Sequence, residues 1–96
     1  MVVKIAINGF GRIGRHAFKV AHARDDMEVV AVNDLTDNKT LAHLLQYDTA
    51  YPEFSHSVDF DDRHLIVDGK KIQVFAQRDP SNLPWGDLGV DVVIES

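Results

Sequence analysis

Ninety-six residues form at most one small domain. A hydrophobic content of 45% with 26% charged residues belongs to an ordinary globular chain and argues against disorder. With a net charge of -5 there is no basic stripe for nucleic acid, no apolar run approaches the ~20 residues of a membrane helix, and the N-terminus lacks a signal-peptide pattern, so the expected compartment is the cytoplasm.

Residues 2–8, Val2-Val3-Lys4-Ile5-Ala6-Ile7-Asn8, read as a buried parallel strand. They run straight into Gly9-Phe10-Gly11-Arg12-Ile13-Gly14, a Gly-x-Gly-x-x-Gly turn. A helix is predicted next. Ile13, Ala17, Val20 and Ala21 follow the spacing of one helical face, Phe18 adds to the same contact, and the helix should stop near Arg24-Asp25-Asp26. Residues 28–33 form the second strand, which ends at Asn33-Asp34, with Asp34 lying 20 residues after Gly14. Thr36, Asp37 or Asn38 caps a second helix that buries Leu41, Leu44 and Leu45, and Pro52 follows in a loop. Shorter strands come next: one from His56 to Phe60, then His64 to Val67 and Lys71 to Phe75 flanking the hairpin signal Asp68-Gly69-Lys70. Asp79-Pro80-Ser81 is a turn, Leu83 to Trp85 a short helical turn, and Val90 to Ile94 the last strand. This order predicts an α/β chain: the first half of a Rossmann-type, doubly wound, mainly parallel sheet with an inserted β-hairpin.

Strand, glycine turn, helix, strand and acid in that order make a dinucleotide-binding pattern, and each part has a mechanical task. Gly9 lets the chain turn sharply out of the strand. Gly11 lets the backbone approach a pyrophosphate, and Gly14 lets the helix pack tightly on the sheet. Amides of the first helical turn, around Arg12 and Ile13, have no intrahelical partner and point at the phosphates, where the helix dipole adds positive potential. Asp34 accepts hydrogen bonds from both hydroxyls of an adenosine ribose and repels a 2′-phosphate, which predicts NAD over NADP. Asn8 and Asn33 sit at strand ends beside the cleft, where each either bonds the cofactor or holds a local turn.

Asn8-Gly9-Phe10-Gly11-Arg12-Ile13-Gly14-Arg15 resembles the signature start of glyceraldehyde-3-phosphate dehydrogenases. Further segments resemble the same family in order: Val32-Asn33-Asp34-Leu35, Ala42-His43-Leu44-Leu45-Gln46-Tyr47-Asp48, Gln77-Arg78-Asp79-Pro80, Leu83-Pro84-Trp85 and Gly89-Val90-Asp91-Val92-Val93-Ile94-Glu95-Ser96. The resemblance covers residues 2 to 96 and implies an NAD-dependent oxidoreductase of glycolysis and glucose metabolism. In its usual form such an enzyme is a homotetramer that oxidises the aldehyde with NAD and inorganic phosphate. It also implies that Arg78 lines the adenine site, that the backbone at Arg12 flanks the pyrophosphate, and that Leu35 is the bulky residue of NAD-specific members. The cofactor-binding set is therefore Gly9, Phe10, Gly11, Arg12, Ile13, Gly14, Asn33, Asp34, Leu35 and Arg78. Erythrose-4-phosphate dehydrogenase, a close relative, usually carries Glu at the position of Asp34, so Asp34 favours the glycolytic enzyme. One departure stands out: Thr49-Ala50-Tyr51-Pro52-Glu53-Phe54, where the family more often reads Ser-Val-His-Gly-Arg-Phe.

The chain contains no cysteine. The resemblance implies chemistry by a cysteine thiolate, which is strongly nucleophilic near neutral pH and leaves readily from a thioester, with a histidine as base. Residues 1–96 are thus expected to be the N-terminal portion of an NAD-binding domain, without catalytic residues of their own and inactive alone, their partners being the remainder of the dehydrogenase and its homotetramer mates. The rival expectation is a stand-alone, non-catalytic NAD-binding or subunit-pairing module; a weaker one is an erythrose-4-phosphate dehydrogenase fragment. The five histidines lack metal-ligand spacing, and Asp59, Asp61 and Asp62 lack the glycine and glutamate of a calcium loop, so no metal is expected. Trp85 is expected to anchor against the sheet. With half a sheet, Val92, Val93 and Ile94 are expected near an open edge that favours self-association.

Overall fold

The computed structural model describes residues 2–47, 57–79 and 83–96. The elements run β1 (Val3–Asn8), α1 (Arg12–His22), β2 (Met27–Asn33), α2 (Asn38–Tyr47), β3 (Val58–Phe60), β4 (His64–Val67), β5 (Lys70–Phe75) and β6 (Val92–Glu95). They make one six-stranded sheet in the order β3-β4-β5-β2-β1-β6. β5, β2, β1 and β6 are mutually parallel, while β4 is antiparallel to both β3 and β5. The predicted hairpin is present, and its second arm has a double use. β5 turns back from β4 and then serves as the parallel neighbour of β2.

The hairpin turn has Asp68 at φ 52 and Gly69 at φ 82, the two left-handed residues that a tight two-residue connection requires. No atom lies within 4 Å of a Cβ built on Gly69, so the glycine answers the backbone alone. Gly69→Ala is expected to cost about 1 kcal/mol, the usual left-handed penalty, read as a lower urea midpoint with unchanged slope.

The core gathers Ile5, Ile7, Val29 and Val32 from the central strands, Phe18 and Ala21 from α1, Leu41, Ala42 and Leu45 from α2, and Leu65, Val67 and Ile72 from the hairpin. Phe18 is fully buried and meets Phe10 edge-on at 5.9 Å between ring centres. Burying one such ring contributes about 1.5–3 kcal/mol. The α1 face follows the prediction at Gly14, Phe18 and Ala21, which face the sheet, and departs from it at Ile13, 72% exposed, and Val20, 50% exposed. The cause is Gly14. A Cβ there would strike the carbonyl oxygen of Gly9 and crowd Ile7, so α1 approaches closest at this glycine and its rotation follows from that contact. Periodicity alone counted Ile13 and Val20 as core because it weighs apolar character and not distance.

α2 begins as predicted: Asp37 precedes it, its carboxylate accepts hydrogen bonds from the side chain and amide of Thr40, and Leu41 N bonds Asp37 O at 3.0 Å. Leu44 is only half-buried, and Ala42 takes its place in the core. Residues 84–90 form hydrogen-bonded turns where a helical turn was expected, with Leu88 N on Pro84 O at 3.2 Å and Val90 N on Trp85 O at 3.1 Å. Trp85 stands edge-on to Phe75 of β5 at 5.9 Å, the expected anchor against the sheet. β6 lies at the sheet edge with Val92 47% exposed. His56 at the start of the predicted His56–Phe60 strand, the loop at Thr49–Phe54 with Pro52, and most of the Asp79-Pro80-Ser81 turn lie outside the described residues.

Candidate functional site

The C-terminal ends of β1, β2 and β6 meet at the point where the strand order reverses, between β2-β1 and β1-β6, and such a point is where an open α/β sheet leaves a crevice. An open cleft of about 540 Å³ lies there, lined by Asn8, Gly9, Asn33, Asp34, Leu35, Gln77, Arg78, Glu95 and Ser96. Residues from four separate stretches of sequence thus share one wall.

The glycine turn forms the floor of this end of the sheet. Gly9 has φ +95, and a Cβ there would meet the backbone of Ser96; its amide bonds Asn33 O at 2.7 Å. Gly11 precedes α1 in extended backbone (φ -74, ψ -163), and no side chain caps the helix. The first backbone bond of α1 runs from Arg15 N to Gly11 O at 2.9 Å, so the amides of Arg12, Ile13 and Gly14 have no intrahelical acceptor. No heavy atom lies within 4 Å of a Cβ built on Gly11. Packing therefore does not require glycine at this position, and the space over it is open beside the positive end of a helix dipole. The charge of a pyrophosphate suits such a place.

Asp34 closes the other side. Its Oδ2 accepts the amide of Phe10 at 2.7 Å, and its Oδ1 accepts the amide of Thr36 at 2.9 Å. Partial burial pushes the carboxyl pKa up, but the Thr36 and Phe10 amides, the Thr36 hydroxyl and nearby Arg15 together outweigh it and hold the group below its usual range. With about four acceptor sites on a carboxylate and three of them taken by the two amides and the Thr36 hydroxyl, capacity remains for a ligand hydroxyl. Arg15 also ties the turn by donating from its guanidinium to Phe10 O at 3.1 Å.

The predicted residues separate into three groups. Gly9, Asn33, Asp34, Leu35 and Arg78 line the cleft, with Leu35 58% exposed. Gly11, Arg12 and Ile13 lie at the open helix start. Phe10 and Gly14 are buried; the Phe10 ring belongs to the core, and only its backbone reaches Asp34. Asn33 is buried, and its carboxamide makes three hydrogen bonds within the protein. Gln77 and Glu95 line the cleft without having been singled out in the sequence. Glu95 Oε2 accepts from Asn8 Nδ2 at 2.8 Å, a contact across adjacent parallel strands that no local pattern reveals. Among the described residues no group of three or more His, Asp or Glu side chains gathers as a metal site, and no helix is long and apolar enough to cross a membrane.

The family model for the NAD binding domain of glyceraldehyde 3-phosphate dehydrogenase matches residues 3–96. The chain belongs to this family. Glyceraldehyde-3-phosphate dehydrogenase from Thermotoga maritima is 59% identical over 97 residues, covering 99% of this chain and 29% of the relative. The enzyme of the same name from Geobacillus stearothermophilus is 56% identical over 96 residues, and glyceraldehyde-3-phosphate dehydrogenase A from Escherichia coli is 53% identical over 96, each covering 100% of this chain and 29% of the relative. The chain thus spans 29% of the length of these curated relatives and matches their N-terminal part.

Proposed function

We propose that this chain holds the adenosine and pyrophosphate end of NAD within a phosphorylating glyceraldehyde-3-phosphate dehydrogenase. That enzyme oxidises glyceraldehyde 3-phosphate with NAD and inorganic phosphate to 1,3-bisphosphoglycerate. The observation that carries this reading is the uncapped start of α1 at Gly11, open above and directly after Phe10, whose amide bonds the Asp34 carboxylate. The bound cofactor would supply the hydride acceptor. The chain's own residues bind and orient. Amides of Arg12 and Ile13 take the pyrophosphate, Asp34 takes the ribose hydroxyls, and Leu35 and Arg78 flank the adenine. Ionised Asp34 faces a ribose 2′-hydroxyl but repels a 2′-phosphate, which favours NAD over NADP. With no cysteine, residues 1–96 offer no thiolate to attack an aldehyde.

Amide NMR of the isotope-labelled chain tests the binding half of this reading: NAD should shift the signals of Gly9 to Gly14 and Asp34, and an unchanged spectrum would count against it. Aldehyde, phosphate and NAD added to residues 1–96 alone should yield no NADH absorbance. For the full-length gene product, the names of the relatives favour glyceraldehyde 3-phosphate over erythrose 4-phosphate, and comparing kcat/KM for the two aldehydes decides between them. The cytoplasm and a homotetramer are part of the same proposal. Sedimentation of the full-length product tests the latter.

A further inference from the structure

Asn33 is the one buried polar residue among the described residues, and its carboxamide is bonded within the protein. Its Nδ2 donates to Asn8 Oδ1 at 2.9 Å and to Gln77 O at 3.0 Å, while its Oδ1 accepts from Gln77 N at 2.9 Å. The two bonds to Gln77 fix the orientation of the carboxamide. Turned over, it would set a donor against an N–H and an acceptor against a C=O. Both Nδ2 hydrogens are then used, so this group has no donor left for a ligand. The chain of bonds continues from Asn8 Nδ2 to Glu95 Oε2 at 2.8 Å, so one polar line spans the ends of β5, β2, β1 and β6. Gln77 lies two residues past the end of β5, outside the sheet ladder, and Asn33 grips both its N–H and its C=O. The next residue is Arg78, exposed on the wall of the cleft that also holds Asp34.

We propose that Asn33 is a positioning residue. Its carboxamide pins the backbone of Gln77 and so holds Arg78 in the cleft at the adenosine end of the dinucleotide, without touching the ligand itself. This rests on the reading of the cleft as the adenosine site. Without the two bonds, the segment after β5 is held by no ladder at this point, and Arg78 must be ordered at the moment of binding, which lowers affinity.

Asn33→Asp tests it in the full-length gene product, with ADP-ribose as the probe in calorimetry. The variant keeps size and the bond from Gln77 N, but sets a carboxylate oxygen against the carbonyls of Gln77 and Asn8. ADP-ribose should bind about tenfold more weakly, the scale of one hydrogen bond to a charged group. The same substitution on an Arg78→Ala background should cost less than twofold, because the residue it positions is gone. An equal loss on both backgrounds, or no loss on either, overturns the proposal. Asp34→Ala and Arg78→Ala are measured alongside. If both bind ADP-ribose like the unaltered protein, the adenosine reading of the cleft fails, and the proposal with it; if both weaken while Asn33→Asp does not, only the positioning role fails. Should Asn33→Asp not fold, hydrogen exchange on the unaltered protein decides: a slowly exchanging Gln77 amide is expected, and exchange at the rate of a free loop overturns the pinning.

Discussion

Asp34→Ala should weaken NAD binding by about 10- to 100-fold, because a hydrogen bond to a charged group is worth about 1.5–3 kcal/mol and each 1.4 kcal/mol is about tenfold. The side chain has two duties, and the substitution removes both. It faces the cleft as the acceptor for ribose hydroxyls, and it receives the Phe10 and Thr36 amides that order the glycine turn against the end of β2. Asp34→Asn separates charge from shape. It should recover part of the NAD affinity while narrowing the preference for NAD over NADP, since the repulsion of a 2′-phosphate is lost. Titration calorimetry with both nucleotides checks this; an unchanged preference would place the discrimination elsewhere. The pH dependence has a definite sign. Burial raises the Asp34 pKa, the four favourable contacts lower it by more, and the folded value falls below the ordinary 3.8. The stability contributed by the ionised group is therefore present above the ordinary value and lost as pH falls through the lower folded one. NAD affinity should stay flat from neutral pH into the ordinary carboxylate range and decline only in stronger acid.

Three glycines of one motif should respond to the same substitution in opposite ways. Gly14→Ala puts a methyl group against the Gly9 carbonyl, the Ser96 hydroxyl and Ile7, and the nearest obstacle is backbone, which yields little. A cost of about 1–3 kcal/mol or more in urea unfolding is expected. Gly9→Ala combines a φ of +95 with a collision against the Ser96 backbone, so backbone strain of about 1–3 kcal/mol adds to the clash. Gly11→Ala meets no atom within 4 Å and has an ordinary φ of -74. It should lose only the N-cap preference for glycine, about 1 kcal/mol or less. NAD binding should nevertheless fall at least about tenfold, because the methyl group occupies the space over the free amides of α1. Paired unfolding and calorimetry on the three variants check the pattern. Full NAD affinity in Gly11→Ala would mean that the pyrophosphate passes elsewhere.

The α1 face, the asparagines and the sheet register mark the limits of sequence reading. The spacing of Ile13, Ala17, Val20 and Ala21 with Phe18 suggested a buried stripe; Phe18 and Ala21 are buried as expected, but the close contact at Gly14 leaves Ile13 and Val20 exposed. β1 and β2 pair with a register shift: Ile5 faces Val29 but Ala6 faces Ala31, so Val30 is an extra residue on β2. That bulge brings Asn33 opposite Asn8, and without it Asn8 would face Val32. Whether the asparagines served a ligand or a turn was open in the sequence, because the answer depends on this register and on Gln77, 44 residues further along the chain. Glu95 entered the same line of bonds unseen for the same reason.

By itself the sequence determined the parallel α/β order, the hairpin at Asp68-Gly69, the glycine turn, the acid at the end of β2 and the NAD-binding family. These are local signals: β-branched runs, residues that tolerate positive φ, and a fixed offset between motif and acid. The tertiary structure alone decided that Ile13 and Val20 of α1 stay exposed, that β5 serves both hairpin and parallel sheet, and that Asn33 is bound within the protein. Each of these depends on how closely two distant segments approach, and residue type and spacing carry no measure of that distance.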